Sequence, residues 1–399
     1  MFFLKQKKLL KKLQVYFKMS IKKLLFILPS LSVGGLERVQ VSIANALVKR
    51  GYDVTVMILN PCLDLATELD ARVKLIHKPY KPHPIMRKIP YIRHKFYDDG
   101  MWETRASAKK LYKYYVGKEK YDVEIGFFRG LSVKIVSGST NRNSVKLAWV
   151  HNDFKVCKGI TNNFKNMQAV KNAYAKMDKI ICVSKQAKEG FIEKIGCTER
   201  TTTVYNLLPI EEIVSKAQET LVLQKKKPIL CSVGRLSDQK GYARLLNVVG
   251  KLNTDELDFD LWLIGDGGDR EKLETLAQEK GLNNVYFFGK QNNPYKYMKQ
   301  ADLYVCSSLY EGYNLTVAEA LILEIPVLST NCTGPCEILD NGKYGVIVEN
   351  SEEGLYQGLK ELLSEPDKLL YYKGKAKERK DFFDEEKICG QIEDLFNKK

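Results

Sequence analysis

Residues 301–321 read ADLYVCSSLYEGYNLTVAEAL, and they contain the structural unit from which much of this chain is built. An apolar run is followed by a Gly-Tyr-Asn segment that favours a turn, and then by a second apolar run with helical character. A strand that leads into a helix is the repeating unit of parallel sheets. Two carboxylates, Glu311 and Glu319, lie on either side of this junction.

Similar units recur along the chain in two series. Strand-like runs of the first series lie at 24–29, 53–59, 121–126, 145–150 and 179–184. Those of the second lie at 228–233, 259–264, 284–289, 302–307, 326–330 and 345–349. Short apolar strands alternating with amphipathic helices predict parallel sheets covered on both faces. Between the series, near 207–227, a proline and a closing lysine run predict a linker between two doubly wound α/β domains.

The composition narrows the class of protein. A chain of 399 residues with 44% hydrophobic and 28% charged residues is expected to form two soluble globular domains. No apolar run approaches the roughly 18 residues that span a bilayer, and lysines interrupt the N-terminus too often for a secretory signal. The nine cysteines include no CxxC pair, which favours a reducing, cytoplasmic environment. The four histidines lack metal-binding spacing.

The net charge of +16 is concentrated near the N-terminus. Residues 1–23 carry eight lysines and no acid, and their phenylalanines and leucines can form the apolar side of a short helix. One interpretation is a segment that binds anionic membrane surfaces. The alternatives are a disordered basic tail and an upstream extension before a start at Met19. Nucleic acid is a less favoured partner, because no nucleic-acid-binding motif is present.

Ligands of parallel sheets bind at the carboxyl ends of the strands, so the loops that follow strands are the candidate sites. Gly34 and Gly35 follow the first strand and precede a helix, where glycines let the backbone approach a phosphate; the alternative is a simple tight turn. His151 follows the run VKLAWV and can contact a sugar hydroxyl or a leaving group, or simply cap a loop. Gly334 and Pro335 are expected to open a later helix, with Glu337 in its first turn.

Two cations lie on the loop after the first strand of the second series. Arg235 and Lys240 are five positions apart and a glycine accompanies each of them. On such a loop both can reach one diphosphate, the guanidinium as a planar fork and the ammonium as a point charge. The alternative is a pair of solvated surface charges.

The opening stretch contributes the two acids. Thr316 is a plausible N-cap, with Glu319 at the third position of the helix and Glu311 on the preceding loop. The loop can then aim both carboxylates at one molecule, with free amides around Leu315 to Val317 facing an anion. The alternative for Glu319 is a capping partner without a ligand.

Taken together, these residues resemble the retaining glycosyltransferases of family 4, which have the GT-B fold: two Rossmann-like domains that face each other across a cleft. The Glu-x7-Glu signature appears as Glu311 and Glu319, and the GRLxxxKG element runs from Gly234 to Gly241. The resemblance extends from about residue 24 almost to the end of the chain and is strongest at 228–349. The loop between the two glutamates reads Tyr-Asn-Leu-Thr, where many members have a proline or a second glycine.

The resemblance implies a role for each site residue. His151 and Glu311 would be catalytic, since His151 would contact the transferred sugar near its reacting carbon and Glu311 would lie near the donor sugar. Binding of the donor would involve Gly34 and Gly35 over the phosphates, Arg235 and Lys240 at the diphosphate, the amides of Asn314, Leu315 and Thr316 at sugar and phosphate, and Glu319 at the ribose. No metal ion and no other cofactor is expected.

The resemblance also implies an activity and a division of the chain. The expected reaction moves a hexose or N-acetylhexosamine, with retention, from a nucleotide sugar (UDP-linked) to a lipid-linked saccharide in cell-envelope or exopolysaccharide synthesis. The expected location is the cytoplasmic face of the plasma membrane. The expected segments are the basic segment 1–23, an acceptor-side domain at 24–207, a linker at 208–227, a nucleotide-sugar domain at 228–379 and a final helix at 380–399 that returns to the first domain.

Three alternatives compete with this interpretation. One is a soluble glycosyltransferase with a small-molecule acceptor, and another is a degenerate, non-catalytic glycosyltransferase subunit. The presence of Arg235, Lys240, Glu311 and Glu319 disfavours the second. A dinucleotide-binding oxidoreductase is disfavoured because no GxGxxG with an acid about 20 positions later follows the first strand.

Overall fold

The structure is a computed structural model that describes residues 22–78, 101–222 and 226–397. The basic segment 1–23 therefore lies outside the described residues, except for Lys22 and Lys23. Within the described ranges, no helix combines the length and the apolar composition needed to cross a bilayer.

Among the described residues, the N-terminal half forms a seven-stranded sheet in which all pairings are parallel, with the order β3-β2-β1-β4-β5-β6-β7. Its strands are β1 (Lys23–Leu28), β2 (Asp53–Ile58), β3 (Lys74–His77), β4 (Val123–Gly126), β5 (Val145–Val150), β6 (Lys179–Cys182) and β7 (Thr201–Thr203). Every residue of β4 is buried, and the central strands β1 and β5 are apolar over most of their length, as expected for strands covered on both faces.

The C-terminal half forms a six-stranded parallel sheet with the order β10-β9-β8-β11-β12-β13. Its strands are β8 (Ile229–Val233), β9 (Asp260–Ile264), β10 (Val285–Gly289), β11 (Leu303–Cys306), β12 (Val327–Thr330) and β13 (Val346–Val348). Both sheets start with the same order: three strands added outward in one direction, then a reversal next to the first strand. This order is that of doubly wound folds, and the predicted two-domain α/β architecture is confirmed.

Helices connect the strands and cover the sheets. They are α1 (Gly35–Lys49), α2 (Met101–Arg105), α3 (Ala108–Tyr115), α4 (Leu131–Val136), α5 (Met167–Tyr174), α6 (Lys185–Ile195), α7 (Ile210–Ala217), α8 (Tyr242–Thr254), α9 (Arg270–Glu279), α10 (Tyr295–Met298), α11 (Leu315–Ile322), α12 (Thr333–Ile338), α13 (Glu352–Ser364), α14 (Pro366–Arg379) and α15 (Glu385–Asp394). Short 3-10 turns lie at Ala66–Glu68, Thr198–Arg200, Asp238–Lys240 and Lys380–Phe383.

One of the apolar clusters spans both halves of the molecule. A single cluster of buried side chains contains residues of both sheets, and Ile213 and Ala217 of α7 belong to it. The predicted linker therefore includes a helix, and α7 packs against α10 and α11 of the second domain. Burial of the apolar face of α7 stabilises its helical conformation.

The chain returns to the first domain at its end. After the turn Lys380–Phe383, helix α15 packs on α1. The Arg50 guanidinium donates to the Glu386 carboxylate at 2.7 Å and to Glu393 at 3.0 Å. The rings of Tyr52 and Phe396 meet edge to face with their centroids 5.4 Å apart. The last helix of the chain is thus part of the N-terminal half in space.

Candidate active site

Both sheets reverse their strand order at one point, between β1 and β4 in the first and between β8 and β11 in the second. The loops at such a reversal diverge to opposite faces and leave a crevice at the carboxyl ends of the strands, where ligands bind. The loop after β8 carries Lys240, and the loop after β11 carries Glu311. The reversal in the second sheet therefore explains why Lys240 and Glu311, which are 71 positions apart in sequence, come together.

Lys240 and Glu311 form a buried ion pair. The Lys240 Nζ lies 2.6 Å from Glu311 Oε1, and the two side chains are only 19% and 8% exposed. The hydroxyl of Ser308 donates to the same carboxylate oxygen at 2.7 Å. Burial alone would lower the pKa of Lys240, but the Glu311 carboxylate outweighs it and raises that pKa above its ordinary value. The ammonium is therefore a fixed positive charge at the base of the crevice.

The two loops are also tied together through their backbones. The Ser307 hydroxyl donates to the carbonyl oxygen of Lys240 at 2.9 Å. The half-buried guanidinium of Arg244 donates to the Ser307 carbonyl through Nε at 3.0 Å and through Nη2 at 2.6 Å, and to the Ser308 carbonyl at 2.8 Å. Arg244 thus holds the backbone that leads to Glu311, so that the ion pair is preorganised.

Helix α11 begins differently from the prediction. Its N-cap is Asn314, whose side-chain oxygen accepts from the Val317 amide at 3.3 Å. The predicted cap, Thr316, is wrong: it lies inside the helix and donates its hydroxyl to Asn314 Oδ1 at 2.8 Å. Asn314 has a φ of 72°, a left-handed conformation that asparagine tolerates far better than threonine does. The amide of Val317 is therefore already bonded within the protein.

Glu319 is the fifth residue of α11, not the third, so the alternative of a capping-box partner is wrong as well. Its side chain is buried, and the Tyr295 hydroxyl donates to Oε1 at 3.2 Å. Burial raises the pKa of Glu319, while Arg38 and the Tyr295 hydroxyl act in the opposite direction. The carboxylate borders a cavity of about 150 Å³ between α1 and α11, to which Ser42 also contributes.

His151 supplies a neutral imidazole on the other side of the cleft. Its Nε2 donates to the carbonyl oxygen of Phe127 at 2.9 Å. The centroids of the imidazole and of the Phe127 ring are 4.7 Å apart. Desolvation lowers the pKa of His151 to about 3, so the ring carries no charge at neutral pH. Because Nε2 is engaged, Nδ1 is the nitrogen left to accept a hydrogen bond from a ligand.

The glycines of the first loop lie against the other domain. Gly34 is the N-cap of α1 and Gly35 is its first residue. A methyl group on Gly35 would overlap the side chain of Leu315, which shows how closely this loop approaches α11. A methyl group on Gly312 would likewise overlap the carbonyl oxygen of His151. The structure thus brings the predicted residues of both domains to one interdomain cleft.

Arg235 is exposed on the loop after β8 and lies near the first turn of α1. The Ser32 hydroxyl donates to Glu37 of that turn at 3.2 Å. Burial raises the pKa of Glu37, and the positive charge of Arg235 across the cleft partly offsets this effect. An anion placed between Arg235 and the glycine loop would therefore meet positive charge on one side and backbone amides on the other.

Sequence reasoning did not find Ser308, Arg244 and Tyr295. Ser308 lies three residues before Glu311 and could have been noticed as a nearby hydroxyl. Arg244 and Tyr295 lie in helical patterns with no local signal, and only the tertiary fold brings them to the site. In the parts of the chain that the structure describes, no group of three or more His, Cys, Asp and Glu side chains is arranged to hold a metal ion.

Two family models match the chain, one in each half. The model "Glycosyltransferase Family 4" matches residues 33–212, and "Glycosyl transferases group 1" matches residues 214–379. The boundary between them falls within α7, the helix that joins the two sheets.

Individual relatives agree with the models. The N-acetylgalactosamine-N,N'-diacetylbacillosaminyl-diphospho-undecaprenol 4-alpha-N-acetylgalactosaminyltransferase of Campylobacter jejuni is 32% identical over 57% of this chain and 62% of its own length. An uncharacterized glycosyltransferase of Haemophilus influenzae is 26% identical over 91% of this chain and 96% of its own. The matches to the first two curated relatives span only 62% and 54% of those proteins.

A solved structure shares the fold over nearly the whole chain. HepE of Anabaena, determined in complex with UDP and glucose, superposes with a TM-score of 0.72 at 18% identity, covering 94% of this chain and 98% of its own. With both halves matched by family models and the two-domain architecture shared, this chain belongs to the family-4 type of glycosyltransferases with the GT-B fold.

Proposed function

We propose that the protein is a retaining glycosyltransferase that moves a hexose or N-acetylhexosamine from a UDP-linked donor to a lipid-linked saccharide. The observation that carries the proposal is the buried Lys240–Glu311 pair at the strand-order reversal of the second domain. A buried, preorganised positive charge at this place suits a reaction whose leaving group is a nucleoside diphosphate. A subunit without catalytic activity would have no need of such a costly buried pair.

The residues divide the work as follows. Lys240 and Arg235 stabilise the negative charge that develops on the departing diphosphate, and the electrostatic contribution needs no metal ion. Glu319 accepts from the ribose hydroxyls, and Glu311, held by Lys240 and Ser308, lies next to the donor sugar. Neutral His151 bonds a hydroxyl of the transferred sugar from the acceptor side.

The route consistent with retention is attack on the same face from which the diphosphate leaves. The bond between the anomeric carbon and the diphosphate oxygen breaks, and a bond to the acceptor oxygen forms. The acceptor proton passes to the leaving phosphate, so no protein base is required. Contact between the two domains around Gly35 and Gly312 excludes water from this step.

The donor and acceptor classes draw support from the named relatives. The name of the Campylobacter enzyme includes a saccharide linked to diphospho-undecaprenol, and the structure of HepE was determined in complex with UDP and glucose. A lipid-linked saccharide of envelope or exopolysaccharide synthesis is therefore our proposed acceptor. A small soluble acceptor is the alternative, and it would be favoured if transfer to free sugars matched transfer to lipid-linked ones.

Nucleotide binding tests the donor part directly. UDP at 100 times its dissociation constant should stabilise the folded protein by about 2.7 kcal/mol, which a thermal-shift series of UDP, GDP, ADP and their sugars would reveal. We expect UDP compounds to give the largest shift and a chelator to leave both the shift and turnover unchanged. The absence of a shift with every nucleoside diphosphate would contradict the proposal, and a larger shift with GDP or ADP would correct the base.

The basic N-terminal segment supports peripheral binding to the cytoplasmic membrane surface. Each basic residue near an anionic surface contributes about 1 kcal/mol, and residues 1–18 contain six lysines. We expect the full chain to float with phosphatidylglycerol vesicles, and a chain that starts at Met19 to remain unbound. Neutral phosphatidylcholine vesicles are the control. Equal flotation of both chains with anionic vesicles would contradict this part of the proposal.

A further inference from the structure

Glu337 follows the Gly334–Pro335 pair that the sequence analysis noted, but none of the proposed contacts to donor or acceptor involves it. It lies in the last turn of α12 rather than in the first, because this helix already begins at Thr333. Both of its carboxylate oxygens accept from the backbone amide of Lys185, at 3.0 and 2.8 Å. The Tyr205 hydroxyl donates to Oε1 at 2.6 Å.

These contacts cross the domain boundary. Lys185 is the first residue of α6 and belongs to the N-terminal domain, whereas Glu337 belongs to the C-terminal domain. The eleven-residue helix α6 presents the Lys185 amide and the positive end of its dipole at this point, and a carboxylate is stabilised there. The contact is therefore a charge-assisted clamp between the two halves of the enzyme, which we call the Glu337 clamp.

The clamp lies next to the proposed catalytic residues. Ser184, the N-cap of α6, donates its hydroxyl to the carbonyl oxygen of Gly312 at 3.2 Å. Gly312 directly follows Glu311, and it abuts the backbone of His151 from the opposite domain. A shift of α6 relative to the C-terminal domain would therefore disturb the approach of Gly312 to His151.

The clamp is itself held rigidly from the second domain. The Arg379 guanidinium donates to the carbonyl oxygens of Ile338 at 2.8 Å and Glu337 at 3.2 Å. The same guanidinium lies 3.7 Å from the ring centroid of Phe382, in the segment that crosses back to the first domain. Arg379 thus fixes the backbone of Glu337, and two hydrogen-bond donors fix its carboxylate. One of these donors, the Lys185 amide, directly follows Ser184, which contacts the loop of Glu311.

We propose that Glu337 is a positioning residue that holds the two domains in the register needed for sugar transfer. The inference rests on the proposed function and deepens it. The charged groups assigned to the nucleotide, Arg235, Lys240 and Glu319, all lie in the C-terminal domain, and the N-terminal domain contributes only the backbone of the Gly34–Gly35 loop. Loss of the clamp therefore impairs turnover while leaving nucleotide affinity intact, since only the alignment of His151 with the donor sugar changes.

The test compares Glu337→Gln, Glu337→Ala and Tyr205→Phe with the wild-type chain. Glutamine keeps one acceptor oxygen but removes the charge at the helix end, so we expect kcat to fall about tenfold, with a larger loss for alanine and a smaller one for Tyr205→Phe. UDP affinity measured by calorimetry should stay within twofold. Small-angle scattering should show a broader distribution of interdomain distances in Glu337→Gln. Glu353→Gln, which alters an exposed ion pair with Lys251, is the matched control.

Two results would overturn the inference. One is a wild-type kcat in both Glu337→Gln and Tyr205→Phe. The other is a parallel loss of UDP affinity and kcat, which would mean that Glu337 supports the nucleotide half rather than the register between halves. If the wild-type chain bound no nucleotide, the proposed function would fail, yet the scattering comparison would still test whether Glu337 clamps the domains. Glutamine and phenylalanine variants keep the test valid should the alanine variant not fold.

Discussion

Lys240→Met is expected to weaken UDP binding by about 10- to 150-fold, the range that a lost charge-assisted hydrogen bond of about 1.5–3 kcal/mol implies. Turnover should fall by roughly 10²–10³-fold, as it does when a group that stabilises transition-state charge is removed. Because Glu311 is then buried without its partner, the folded state should also lose about 3–5 kcal/mol. Calorimetry, steady-state kinetics and urea unfolding measure the three effects separately.

Variants of Glu311, the partner of Lys240 in the ion pair, and of the exposed Lys251 are the controls for Lys240→Met. Glu311→Gln should leave UDP affinity nearer to wild type and reduce turnover, because the proposed role of this carboxylate is at the donor sugar. In the double variant Lys240→Met/Glu311→Gln, much of the lost stability should return, since no unpaired buried charge remains. Lys251→Met removes an exposed cation of α8 and should change little. Wild-type UDP affinity in Lys240→Met would refute the assignment of Lys240 to the diphosphate.

Gly312→Ala is expected to reduce kcat by roughly 10²-fold, the loss that a misplacement of about 1 Å can cause. The added methyl group would overlap the carbonyl oxygen of His151, and backbone cannot move aside as a flexible side chain can. The two domains must therefore separate slightly, which moves His151 away from the position proposed for the donor sugar. The charged groups proposed to bind the nucleotide, Arg235, Lys240 and Glu319, all lie in the second domain, so UDP affinity should stay close to that of the wild-type chain.

Gly268→Ala is the matched control for this variant. Gly268 is also a loop glycine of the second domain, but a methyl group there meets no atom within 4 Å. Its kcat and UDP affinity should remain those of the wild-type chain. Normal turnover in Gly312→Ala would show that the contact with His151 is not required during the reaction, and would weaken the case for a narrow cleft.

The sequence predicted the central strands of both sheets but missed β3 and β7. The central strands are fully covered, so their apolar runs stand out. β3 reads KLIH with exposed ends, and β7 reads TTT. Both lie at the edge of the sheet, where one side faces solvent and little apolar surface is needed. Edge strands of this kind are recognised only once their neighbours are known.

The site was predictable to the level of loops but not of contacts. Parallel topology brings the carboxyl ends of strands together, so Lys240 and Glu311 could be assigned to one crevice from sequence. Their mutual ion pair could not, because two long side chains can meet or diverge with small changes in either loop. The predicted N-cap of α11 was wrong for a local reason. Asn314 and Thr316 are both good cap residues, and which of them caps the helix depends on a left-handed φ that the sequence does not reveal.

The return of α15 to the first domain has a consequence for how such enzymes can exchange parts. The N-terminal half is assembled from two separate pieces of chain, one before α7 and one after the turn Lys380–Phe383. A single recombination point between the sheets would leave α15 derived from a different parent than its docking partners Arg50 and Tyr52. A functional hybrid therefore needs two junctions, so that the closing helix is inherited together with the N-terminal half.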